Sequence, residues 1–74
     1  MTSKMAEEEY RGNLRKFQIS EAEACNLIWM KTRAVLKAST ISLHLQRYGT
    51  LSAAHTAAFR LLFKDLERDH EQST

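Results

Sequence analysis

Ser20-Glu21-Ala22-Glu23 opens a run of good helix formers that is apolar around most of its circumference, and this run limits the architecture most. The Ser20 hydroxyl can accept from the Glu23 amide while the Glu23 carboxylate reaches back to Ser20, a capping box, with Ile19 stapling the entry. The spacing predicts a helix over 21–38. At 100° per residue Asn26, Arg33 and Lys37 fall in one narrow polar stripe, whereas Ala24, Cys25, Leu27, Ile28, Trp29, Met30, Ala34, Val35 and Leu36 spread around the rest. A helix of that kind must be covered on more than one side. The expected cover comes from the last helix, with Ile28, Trp29, Val35 and Leu36 packing on Leu62, Phe63 and Leu66.

The cover has to be helical too. The chain has no proline and only two glycines, Gly12 and Gly49, too few breakers for a turn-rich β architecture. Tyr10, Leu14 and Phe17 recur at helical spacing with Met5 a turn earlier, which predicts a first helix over about 4–17. Glu7, Glu8 and Glu9 near its start and Arg11, Arg15 and Lys16 near its end suit the helix dipole. Gly12 inside it costs about 1 kcal/mol relative to alanine.

Residues 40–48 read as a third helix, with a short strand over 40–46 as the alternative, because Ile41, Leu43 and Leu45 alternate with Ser42, His44 and Gln46. No other segment alternates, so such a strand would need its own copy as partner. Gly49 is a natural helix stop, and Thr50 or Ser52 caps a last helix over about 52–70, whose apolar arc is Leu51, Ala58, Phe59, Leu62, Phe63 and Leu66. The expectation is an all-α, three- to four-helix domain spanning 1–74, frayed at 1–3 and 71–74.

A chain of 74 residues buries a modest share of its surface and usually needs a disulfide, a metal or a partner. Cys25 is the only cysteine, so an intrachain disulfide is excluded and a reducing, cytoplasmic setting is expected. No apolar run approaches a membrane span, and the acidic start is unlike a secretory signal. A homodimer is the expected remedy. The basic residues between Arg11 and Lys37, set against Asp65, Glu67, Asp69 and Glu71, would steer two copies into an antiparallel pairing.

Residues able to do chemistry are sparse. His44, His55, His70 and Cys25 show no metal-ligand spacing, and no cofactor or metal is expected. His55, projecting into the apolar arc of the last helix, reads as a partly buried, hydrogen-bonded histidine. Cys25 reads as a small buried hydrophobe rather than a nucleophile, which would need a base and an electropositive pocket. No glycine-rich phosphate loop is present. The chain is therefore expected to be non-enzymatic, a regulatory or adaptor protein that binds itself and another protein through an apolar helical surface. Trp29, Met30, Arg33, Lys37 and His44 are the candidate contact residues.

The alternative is nucleic-acid binding. Helix, glycine-containing turn and helix give the helix-turn-helix outline over 40–68. Gly49-Thr50-Leu51-Ser52-Ala53-Ala54 resembles, over those few residues, the start of the DNA-binding unit of winged-helix regulators. Ser52, Thr56, Arg60 and Lys64 would then meet DNA, Thr56 reading bases and Arg60 and Lys64 holding phosphates. Ala53 and Ala57 on the same face read nothing, and a net charge of +2 is thin for the task, so protein binding ranks first.

Overall fold

Helices account for most of residues 4–72, the residues that the computed structural model describes. In chain order they are α1 (Glu7–Phe17), α2 (Glu21–Thr32), α3 (Ala38–Tyr48) and α4 (Ala53–Gln72), so the fold is all-α. The expected fraying at 1–3 and at 73–74 lies outside the described residues, whereas residues 71 and 72 belong to α4.

The local signals act where the sequence put them. The capping box of α2 forms with both arms, Glu23 N–H to Ser20 Oγ at 3.1 Å and Ser20 N–H to Glu23 Oε1 at 3.3 Å. Gly49 closes α3 in the left-handed conformation at φ 73°, where a Cβ would be strained. Ser52 caps α4, its hydroxyl accepting the His55 amide at 3.2 Å. α3 is a helix and not a strand, because Ile41 and Leu45, one turn apart, are buried while Leu43 between them is 54% exposed. A strand would have put all three on one face.

Two boundaries differ from expectation. α1 starts at Glu7 rather than near residue 4, since residues 4–6 run extended against the α3–α4 turn. Met5 donates its amide to Thr56 Oγ1 at 2.9 Å and accepts from Leu51 N–H at 2.9 Å, and Glu7 N–H reaches the Gly49 carbonyl at 3.0 Å. This strap buries the Met5 side chain completely. α2 stops at Thr32 instead of Ala38. The Thr32 hydroxyl donates to the Ile28 carbonyl at 2.9 Å and accepts the Ala34 amide at 3.2 Å, which replaces the next helical turn. Arg33 then turns into the left-handed region at φ 65°. A continuous helix from Glu21 to Tyr48 would be about 42 Å long, beyond the 38 Å long axis of the molecule, and would carry Ile41 and Leu45 away from the core. The break lets α3 fold back onto α2.

The extended connector 33–37 alternates, with Ala34 and Leu36 packed on the core and Val35 turned outward at 72% exposure. That overturns the expected flank. Ile28 is buried, but Trp29 and Val35 are exposed, Trp29 at 42%, so neither lies in the interior. The core is built instead on the inner face of α4, where Phe59, Leu62, Phe63 and Thr56 are buried against Tyr10 and Leu14 of α1 and Ala24, Cys25 and Ile28 of α2. Tyr10 meets Phe59 edge-on at 4.9 Å between ring centroids, and Phe17 stacks on Phe63 at 6.1 Å.

Thr56 is the only buried polar residue among the described ones, and it holds the strap. Thr56→Val keeps the shape and removes the acceptor, leaving the Met5 amide buried and unpaired. The expected loss is about 1–3 kcal/mol, read by urea denaturation. A change below about 0.5 kcal/mol, the range of an ordinary surface substitution, would mean that the strap contributes nothing.

Candidate partner-binding surface

The buried residues of α2 (Ala24, Cys25, Ile28) occupy one side of the helix, and Ala22, Glu23, Asn26, Trp29 and Met30 are exposed on the other. Met30 is 60% exposed and its sulfur lies 3.9 Å from Asn26 Nδ2. Arg33 places its guanidinium over the Trp29 ring at 4.6 Å from the centroid. A planar cation on an indole face gains cation–π attraction and keeps its edge N–H donors turned outward. Arg33 is the C-cap of α2 and takes up the left-handed backbone, unfavourable for a residue with a Cβ, with its amide donating to the Trp29 carbonyl. Trp29, Met30 and Arg33 thus form one exposed patch.

The other two expected contact residues sit apart from it. Lys37 is exposed at the N-cap of α3, on the far side of the connector. His44 is partly buried, with Nδ1–H donating to the Thr50 carbonyl at 2.9 Å and its ring tilted on Tyr48 at 4.6 Å. It holds the α3–α4 turn.

The four residues proposed to face DNA do not make one outward face. Thr56 is 2% exposed and bound to Met5, which corrects its expected outward position: α4 is rotated so that Thr56 shares the inner face with Phe59 and Phe63. Ser52 is used as the cap, and its hydroxyl lies 2.6 Å from His55 Nδ1. Arg60 pairs with Glu9 of α1 at 3.0 Å. Lys64 is exposed. The open groove between α1 and α4, about 230 Å³, is lined by Met5, Glu9, Asn13, Arg60, Phe63, Lys64 and Glu67, with Arg60 and Glu9 paired across it.

One electrostatic signal was overlooked. From Ala24 through Lys64 the chain contains no Asp or Glu. Lys31 is paired with Asp65 and Arg60 with Glu9, whereas Arg33, Lys37 and Arg47 have no carboxylate partner among the described residues. The Lys31 ammonium beside Asp65 holds that carboxyl below its ordinary value. Arg33 and Lys37 therefore leave the α2–α3 connector positive, Arg47 adds a charge in the last turn of α3, and Glu23 at the start of α2 is the sole carboxylate on the outward face.

Neither Cys25 nor Tyr10 is poised to react. Burial, then the nearby Glu21 carboxylate, pushes the Cys25 thiol up, away from thiolate. Burial, again followed by Glu21, raises Tyr10 above the usual range for a phenol. Among the described residues no three His, Cys, Asp or Glu side chains group to hold a metal ion, and no helix is long and apolar enough to cross a membrane.

His55 titrates in a useful range. Partial burial, and secondarily the neighbouring His44, lowers it from an ordinary 6.5. The unfolded chain then takes up a proton that the folded one refuses. Stability present above pH 6.5 is lost as pH falls through that value toward the depressed folded one. The melting temperature should fall between about pH 7.5 and about pH 5.5, and His55→Gln should flatten part of that slope. An identical slope in the variant would refute the assignment to His55. No protein-family model, curated protein or solved structure matches the chain, so its surface is read from its own chemistry.

Proposed function

We propose that the protein is a small, non-enzymatic regulatory or adaptor protein that works by protein–protein binding through the outward face of α2. One observation carries this reading: Trp29, the only tryptophan, is left half out of the core, with the Arg33 guanidinium over its ring and Met30 exposed beside it. Tryptophan and arginine are the side chains that most often dominate binding energy, and methionine adapts to irregular surfaces. Leaving such a side chain in water forgoes the stabilisation of burying it, roughly 1.5–3 kcal/mol for a large apolar group. A surface that binds another protein recovers it.

A second reading, nucleic-acid binding, draws on the α3–turn–α4 outline closed by Gly49 and on the acid-free run from Ala24 to Lys64. It is weakened by the burial of Thr56, the capping role of Ser52 and the pairing of Arg60 with Glu9. Arg33, Lys37 and Arg47 would give few phosphate contacts and a shallow salt dependence.

The test compares wild type with Trp29→Ser/Met30→Ser as baits in lysate, with and without nuclease, of the cells that express the protein. Both side chains are exposed, so the variant should melt within a few degrees of wild type, the shift of about 1 kcal/mol in a domain of this size. Proteins held by wild type should be lost by the variant. Retention of the same proteins by both baits would sink the reading. Loss of all captured material on nuclease treatment would replace it with the second one.

A further inference from the structure

We propose that the outward face of α2 is self-complementary and that its occupant is a second copy of this chain, the two α2 helices lying antiparallel across a two-fold axis. This rests on the reading of that face as a protein-binding surface and names the protein that fills it.

Opposite charges mark the two ends of the face. Glu23 lies near its start, Asn26, Trp29 and Met30 in its middle, and Arg33 at its end. The other charges of this helix are used inside the monomer, since Glu21 lies 3.5 Å from Arg11 Nη1 and Lys31 pairs with Asp65. A two-fold contact puts the same surface on both partners, so residue i meets residue j and j meets i. Centred near residue 28, an antiparallel pair sets Glu23 against Arg33 of the other copy, twice. Asn26 then faces Met30 of the other copy, and the two Trp29 rings meet beside the axis. A parallel pair would set Glu23 against Glu23 and Arg33 against Arg33. Only the antiparallel arrangement joins opposite charges around an apolar centre.

The Arg33 geometry suits this use. Its guanidinium lies over the Trp29 ring with no carboxylate partner among the described residues, so its N–H donors can take a carboxylate in two parallel hydrogen bonds. Only one Glu23 oxygen is bonded, to the Ser20 amide. The contact is short, since a helix of this length spans about 18 Å. It belongs with the smaller specific interfaces, which form weak or transient complexes.

Sedimentation equilibrium of the full chain, from low micromolar to near-millimolar concentration, tests this without any foreign protein. Wild type should move from 8.5 kDa toward twice that mass. Trp29→Ser should weaken association at least about tenfold, as loss of a central hot spot does. Arg33→Glu and Glu23→Lys should each weaken it about tenfold, because the two-fold axis makes every substitution count twice. The double variant Glu23→Lys/Arg33→Glu restores opposite charges only in the antiparallel pair and should regain part of the association that each single variant loses. Circular dichroism of each variant separates lost association from lost folding, with Met30→Ser as a second probe that leaves the capping box intact. A single 8.5 kDa species throughout would overturn the proposal, as would a dimer indifferent to Trp29→Ser and Met30→Ser, or a folded double variant that stays monomeric. If wild type is monomeric yet the α2 variant still loses captured proteins, the self-pairing fails and the protein-binding reading stands.

Discussion

The contact on which the rest of the molecule depends is the line of aromatic rings between α1 and α4. Tyr10 sits edge-on to Phe59, Phe59 lies 5.7 Å from Phe63, and Phe63 stacks on Phe17, so two neighbouring rings of α4 are flanked at either end by a ring of α1. Tyr10 and Phe59 are fully buried. Rings of this size supply most of the apolar area that a short chain can hide, and their edge-to-face geometry fixes a relative position that aliphatic contacts would leave loose. With α1 seated, the inner face of α4 has its remaining width for α2, whose small residues Ala24 and Cys25 allow close approach beside Ile28. α3 then packs on α2. The outward side of α2, with Ala22, Glu23, Asn26, Trp29 and Met30, stays exposed.

How much of this was legible depends on the distance over which each signal acts. Ser20 and Glu23, three residues apart, declare their cap in the sequence, and so do the Gly49 stop and the arc of Phe59, Leu62, Phe63 and Leu66. The end of α2 was not legible in the same way. Thr32, Arg33 and Val35 are tolerable in a helix, and the break is imposed by the need of Ile41 and Leu45 to return to the core. The connector's own alternation, Ala34 and Leu36 inward against Val35 and Lys37 outward, was hidden inside a helical reading of the same residues. Thr56 was misplaced because its partner, the Met5 amide, is 51 positions away.

The candidate surface was half legible. Trp29, Met30 and Arg33 share a face by spacing alone, and the structure brings them together. Whether Trp29 faces in or out depends on where α2 ends, since an unbroken helix would have carried Val35 and Leu36 onto the same flank. Lys37 and His44 fall away from the patch for one reason, the extended connector, which sends the chain around to α3. The charges that remain were readable from composition in blocks, as the missing Asp and Glu between Ala24 and Lys64, and not from a net charge of +2.

The Met5 strap sets an order of assembly. Helices and their caps close over three or four residues, whereas the Met5–Thr56 hydrogen bond closes over 51. Closure entropy rises with the logarithm of loop length, so this is among the costliest contacts to form early. It also requires partners that do not exist until late, namely Thr56 on a formed α4 and the backbone of Gly49 and Leu51 in a formed turn. The strap accordingly locks only once the α3–α4 turn and α4 are in place. An opening of residues 4–6 alone, with the aromatic seam intact, would let the Met5 amide exchange with solvent without global unfolding.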